Sequence, residues 1–123
     1  AGGNLAAVVS INARDAGPRI AGQVLIYPAT DFSMRHPSHS EPETDALLTH
    51  SVIRWFRDHY LNSAADCEDW RASPARVKHL SGLPPAVLLT AGADPVRDEG
   101  DQFAKRLSEA GVPVSNHTNP RPR

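Results

Sequence analysis

The sequence holds a single cysteine, Cys67, in 123 residues, and a formal net charge of only −1. One cysteine excludes an internal disulfide framework and favours a reducing compartment. So small a net charge gives no electrostatic case for nucleic acid or an anionic membrane as partner. No apolar run approaches the roughly 18 residues of a membrane span. The first residues show neither the basic start nor the long apolar core of a secretory leader. These absences set the expectation of a soluble, cytoplasmic protein. Ligand spacings such as His-Glu-x-x-His or paired cysteines are missing as well. His36, His39, His50, His59 and His79 therefore read as scattered surface histidines, with no metal expected. The glycines of "AGGN" and "TAGAD" do not make a dinucleotide-binding G-x-G-x-x-G. Cys67 lies in "ADCEDW", whose acidic neighbours disfavour a reactive thiolate.

What is present is an ordinary globular composition, 40% apolar and 22% charged. "AGGNLAAVVSINARDAG" predicts a helix with Leu5, Val8, Val9 and Asn12 at helical spacing, stopped by Gly17-Pro18. "IAGQVLIYP", residues 20–28, predicts a short strand buried on both faces, as in a parallel sheet. Residues 29–49 are polar and proline-rich and read as a long surface excursion. "THSVIRWFRDHYL" predicts a helix capped by Thr49 or Ser51, with Val52, Ile53, Phe56 and Tyr60 on one stripe. After a further loop-rich stretch, "AVLLTAG" predicts a second strand. "PVRDEGDQFAKRLSEAG" predicts an amphipathic helix packed through Phe103, Leu107 and Ala110 and stopped by Gly111. "VPVS" opens a last strand, and "NHTNPRPR" is expected to be irregular. Strands alternating with amphipathic helices predict an α/β fold with a mainly parallel sheet.

One carboxylate stands out. Asp94 closes "AVLLTAGAD", at the carboxyl end of a predicted strand, where open α/β sheets collect catalytic groups. Taken alone it reads first as a helix N-cap, with Pro95 at the first helical position. Asp98 and Glu99 read as charges favourable to a helix N-terminus. Trp55, Phe56, Tyr60 and Trp70 read as packing residues.

The segments "AGGNLAAVV", "GQVLIYPATD", "WFRDHYL", "ASPARVKHLSGLPPAVLLTAGADPVRDEG" and "RLSEAGVPV", in that order, resemble the hormone-sensitive-lipase-like family of α/β-hydrolases. The resemblance covers residues 1–115 and matches the C-terminal half of that fold, with the N-terminal half missing. It implies a serine nucleophile on a sharp elbow, then an acid, then a histidine. Relatives carry G-D-S-A-G-G at the elbow, so the nucleophile would be the residue before Ala1. Ala1 then matches the residue whose backbone N–H joins the oxyanion hole, and Gly2 and Gly3 match the elbow glycines. Asp94 matches the triad acid. The histidine is expected beyond the acid in a His-Gly turn, at about the point where this chain stops. His117 comes too early and lacks the following glycine, so it is not taken as that histidine. Residues 116–123 are read as a frameshifted or truncated tail, and both ends as cut from a longer protein.

The resemblance implies a carboxylic ester hydrolase acting on a small-molecule ester, without cofactor or metal, and a parent that forms a homodimer through its last strand. It also implies that Trp55, Phe56 and Tyr60 lie near an acyl or alcohol pocket. The chain alone is expected to be inactive and poorly folded. A second reading is a non-catalytic, receptor-like ligand-binding protein, because the family includes a plant hormone receptor whose triad histidine is replaced.

Overall fold

The computed structural model describes residues 1–45 and 47–121. Its regular elements, in chain order, are α1 (Gly2–Ala16), β1 (Gln23–Ile26), α2 (His50–Tyr60), β2 (Ala86–Ala91), α3 (Arg97–Glu109) and β3 (Val114–Asn119), with short 3₁₀ turns between them. The three strands form one parallel sheet in the order β1-β2-β3. Gln23 aligns with Ala86 on β2, and Ala86 in turn with Val114.

Both long helices pack on the same face of this sheet. Ala7 and Ile11 from α1 and Phe103, Ala104 and Leu107 from α3 join Leu25, Ala86 and Leu88 in one apolar cluster. The α3 stripe is thus built on Phe103 and Leu107 as the sequence predicts, with Ala110 partly buried at its margin. Helix α1 departs from expectation. Leu5 and Val9 are exposed, whereas Asn4, Ala7, Val8, Ser10 and Ile11 are buried. The reason is polar: Asn4 donates to the carbonyls of Ala29 and Ala72 at 2.6 and 2.7 Å, and these bonds turn α1 away from its most apolar side. Gly17 ends α1 at φ 106°, a left-handed conformation that glycine adopts without strain.

The strand predicted over residues 20–28 forms only at Gln23–Ile26, and it is not buried on both faces. Gln23 and Leu25 face the helices while Val24 is 60% exposed on the other side. Strand β3 corrects the expectation of an irregular end from residue 116. It continues to Asn119 because its backbone completes a parallel ladder with β2, Thr118 pairing with Thr90. Their hydroxyls meet at 2.8 Å. Pro122 and Arg123, at the end of the expected tail, lie outside the described residues, as does Ala46 in the excursion.

Residues 29–45, expected as a surface excursion, are so only in part: Arg35, Pro37, Ser40, Pro42, Glu43 and Asp45 are exposed. Thr30, Ser38 and Thr44 are fully buried and His39 nearly so, because side-chain hydrogen bonds fasten this stretch to the start of α3. Helix α2 is capped by Thr49, whose hydroxyl accepts the Val52 amide. Only Ile53 of its stripe is buried. Trp55, Phe56 and Tyr60 are more than half exposed, so the packing expected for them is not made within the described residues, while Trp70 does pack on the core. Tyr60 rests against Phe32 with ring centroids 5.7 Å apart, and Trp55 lies over His59.

Candidate functional site

Parallel strands end together, so the carboxyl ends of β1 and β2 form one edge. Helix α1 starts at that edge. A β-carbon on Gly3 would lie 3.0 Å from the Pro28 Cα and 3.1 Å from the Ile26 carbonyl oxygen, so the helix's first turn lies directly against the end of β1. Gly3 thus permits the close approach that the sequence motif implies, whereas Gly2 has nothing within 4 Å of its own β-position. Ala1 is exposed, and its carbonyl accepts the Leu5 amide at 3.1 Å as the first bond of the helix. The first amides of a helix have no partner within it and favour negative charge nearby.

Asp94 follows β2 on the same edge. It is not the N-cap of α3, which begins three residues later at Arg97 with Val96 in the cap position. Instead the chain turns at Pro95, with the Arg97 amide donating to the Asp94 carbonyl at 3.1 Å. The Asp94 Oδ1 accepts the Val96 amide at 3.0 Å. Burial pushes the Asp94 carboxyl above the usual carboxylate range, against the opposing pull of the Val96 amide and of the His39 and Arg97 charges. A side chain so held has one oxygen committed to its own loop and the other without a hydrogen bond among the described residues.

The loop is itself fastened. Arg97 donates to the Gly92 carbonyl at 2.6 Å and pairs with Glu41 at 2.9 Å. Ser38 donates its hydroxyl to the Pro95 carbonyl at 2.6 Å and its amide to Asp98 at 2.8 Å. Burial works to raise the Asp98 carboxyl, but the bonds from Arg97 and Ser38 prevail and it lies below its ordinary value. Glu99 is the larger surprise. The sequence suggests a solvated charge at a helix start, yet Glu99 is 2% exposed. Its Oε2 accepts the Thr30 and Asp31 amides at 2.7 and 2.8 Å, and its Oε1 faces the His39 Nε2 at 2.5 Å. Burial drives the Glu99 carboxyl upward despite these partners. His39, expected on the surface, is therefore an interior residue.

His117 is elsewhere. It lies within β3 opposite Leu89, exposed, with its Nε2 2.8 Å from the Ser115 hydroxyl.

A parallel sheet with helices leading to and from its carboxyl edge, and a part-buried carboxylate in the loop there, is the arrangement of open α/β folds, among them the α/β hydrolases. The comparisons agree: the sequence profile of the alpha/beta hydrolase fold family matches residues 1–121, and the chain belongs to that family, as a hormone-sensitive-lipase-like member. The carboxylic ester hydrolase LipN of Mycobacterium tuberculosis (strain ATCC 25618 / H37Rv) is 46% identical over 120 residues, covering 93% of this chain and 32% of LipN. A thermostable esterase from Pseudomonas putida superposes with a TM-score of 0.90 at 39% identity, covering 98% of this chain and 40% of the esterase. A hyperthermophilic esterase from Pyrobaculum calidifontis gives a TM-score of 0.91 at 38% identity, over 98% of this chain and 41% of that one. The chain thus spans about a third of the length of LipN.

Proposed function

We propose that these residues form the acid-bearing part of a serine carboxylic ester hydrolase, with Asp94 as the acid. The observation that supports it best is Asp94 itself. It stands at the carboxyl end of the middle strand, one oxygen on the Val96 amide, in a chain that belongs to a family of esterases. In this reading the free oxygen accepts the Nδ1–H of a histidine, holding the imidazole in the tautomer that takes the proton of a serine and stabilising the imidazolium that results. Ala1, at the amino end of α1, supplies one N–H to the oxyanion, with Gly2 and Gly3 leaving the first turn room against β1. The serine and histidine come from parts of the fold that residues 1–123 do not contain. The substrate is a small carboxylic ester of short to medium acyl length, and no cofactor or metal takes part.

Two assays test this. The 123-residue chain alone should give no saturable hydrolysis of p-nitrophenyl butyrate. The same residues, replacing the matching third of LipN, should yield a folded hybrid that hydrolyses this ester. A folded hybrid without activity contradicts the proposal.

A further inference from the structure

His39 and Glu99 are sixty residues apart in sequence and meet in the interior. A carboxylate and an imidazole withdrawn from water are costly to bury, and apolar residues of like size often cover a core as well. What an ion pair adds is direction. Around this pair the directions all converge on one loop. Ser38, next to His39, holds the Pro95 carbonyl with its hydroxyl and receives the Asp98 amide at 3.2 Å. Glu41, two residues on, holds Arg97, and Arg97 holds the Gly92 carbonyl. The turn that His39 anchors therefore grips the loop directly after Asp94, at Pro95, Arg97 and Asp98, and Arg97 carries the grip back to Gly92. Among the described residues the buried His39 Nδ1 has no hydrogen-bond partner, and the ring is held by its Nε2 contact with Glu99.

We propose that the His39–Glu99 pair is a positioning element for Asp94, seating the 37–41 turn on the loop between β2 and α3 and so fixing the direction of the Asp94 carboxylate. The inference rests on the reading of Asp94 as the triad acid. Among the described residues, the charged groups around Asp94 are His39 from the turn and Arg97 from α3, with Glu41, Asp98 and Glu99 behind them and Arg121, after β3, on Glu41 and the Gly92 carbonyl.

The structure supplies a separate reporter for each carboxylate: the Val96 amide for Asp94, the Ser38 amide for Asp98, and the Thr30 and Asp31 amides for Glu99. A pH titration of the isotope-labelled chain by NMR follows all of them at once. In His39→Leu the Val96 amide should lose its response to Asp94 ionisation, while protection of the β1 and β2 amides is retained. In His39→Gln, which keeps a donor for Glu99, the response should return, because the 37–41 turn is again fastened to Glu99. Loss of stability alone, with the turn still seated on the loop, would leave the Val96 response in place. An unchanged Val96 titration in both variants overturns the proposal. If His39→Leu does not fold, Ser38→Ala decides, since it removes the turn's bond to the Pro95 carbonyl: a weakened Val96 response supports seating of the loop by the turn and an unchanged one refutes it. None of these readouts depends on turnover, so their failure leaves the acid assignment standing. Hydrolysis by the LipN hybrid tests that assignment separately.

Discussion

The β-position of Gly3 lies 3.0 Å from the Cα of Pro28, so α1 and the end of β1 approach until only a hydrogen fits between them. The neighbouring atoms include backbone of Pro28 and Ile26, which cannot rotate away as a side chain can. Gly3→Ala should therefore destabilise by about 1–3 kcal/mol, the usual cost of forcing atoms into a packed site. Gly2→Ala, with open space around it, should stay within about 0.5 kcal/mol of the parent. Urea unfolding followed by tryptophan fluorescence separates the two, and equal effects would show that the approach of α1 to β1 is not tight.

Asn4 is the polar pin that sets the rotation of α1. Asn4→Ala would strand the Ala29 and Ala72 carbonyls that its amide now satisfies. A loss of about 1–3 kcal/mol is expected for a buried group left without its partner. Amide exchange at residues following Ala29 and Ala72 should quicken before that of the strands. Uniform quickening would mean that Asn4 acts on the whole fold and not on these two loops.

The contrast between Asn4 and Phe103 shows what the sequence made legible. Phe103 and Leu107 lie at helical spacing on one apolar face, and the period alone identifies the α3 stripe. Asp94 is legible too, because a carboxylate closing an apolar run falls where α/β sheets gather function. Asn4, Ser38, His39, Thr44 and Glu99 are not. Their burial is made by hydrogen bonds to backbone groups and to one another, several across 60 residues or more, and hydrophobic patterning carries no trace of such pairing. Strand β3 escaped for a related reason: Ser115, Asn116, His117, Thr118 and Asn119 form a strand because β2 offers them a ladder, not because they are apolar. A polar, proline-rich stretch in which a histidine, serines and threonines face a buried acidic helix start is the signal that could have been weighed.

Asp94 should also leave a signature in stability. Burial raises its pKa in the folded chain, so the unfolded chain ionises first as the pH climbs above the ordinary 3.8. Below that value both states are protonated and no cost arises. Through the window up to the raised pKa the folded state holds the extra proton, and stability falls with rising pH. Asp94→Asn keeps an oxygen for the Val96 amide but has no charge to bury. Its stability relative to the parent should increase from acid to neutral pH, as read from urea midpoints at a series of pH values. Glu99, shifted in the same direction, is present in both proteins and cancels in the difference. A gap that narrows with pH would show that Asp94 gains from ionisation, contrary to the upward push of its burial.

The most direct measurement is the effect of Asp94→Asn on turnover in the hybrid that carries these residues within LipN. As the acid that orients and stabilises the histidine, Asp94 should cost about four orders of magnitude in kcat when its charge is removed, with KM little changed. Turnover of Asp94→Asn comparable to the unmodified hybrid would contradict the assignment of Asp94 and, with it, the account given for this loop.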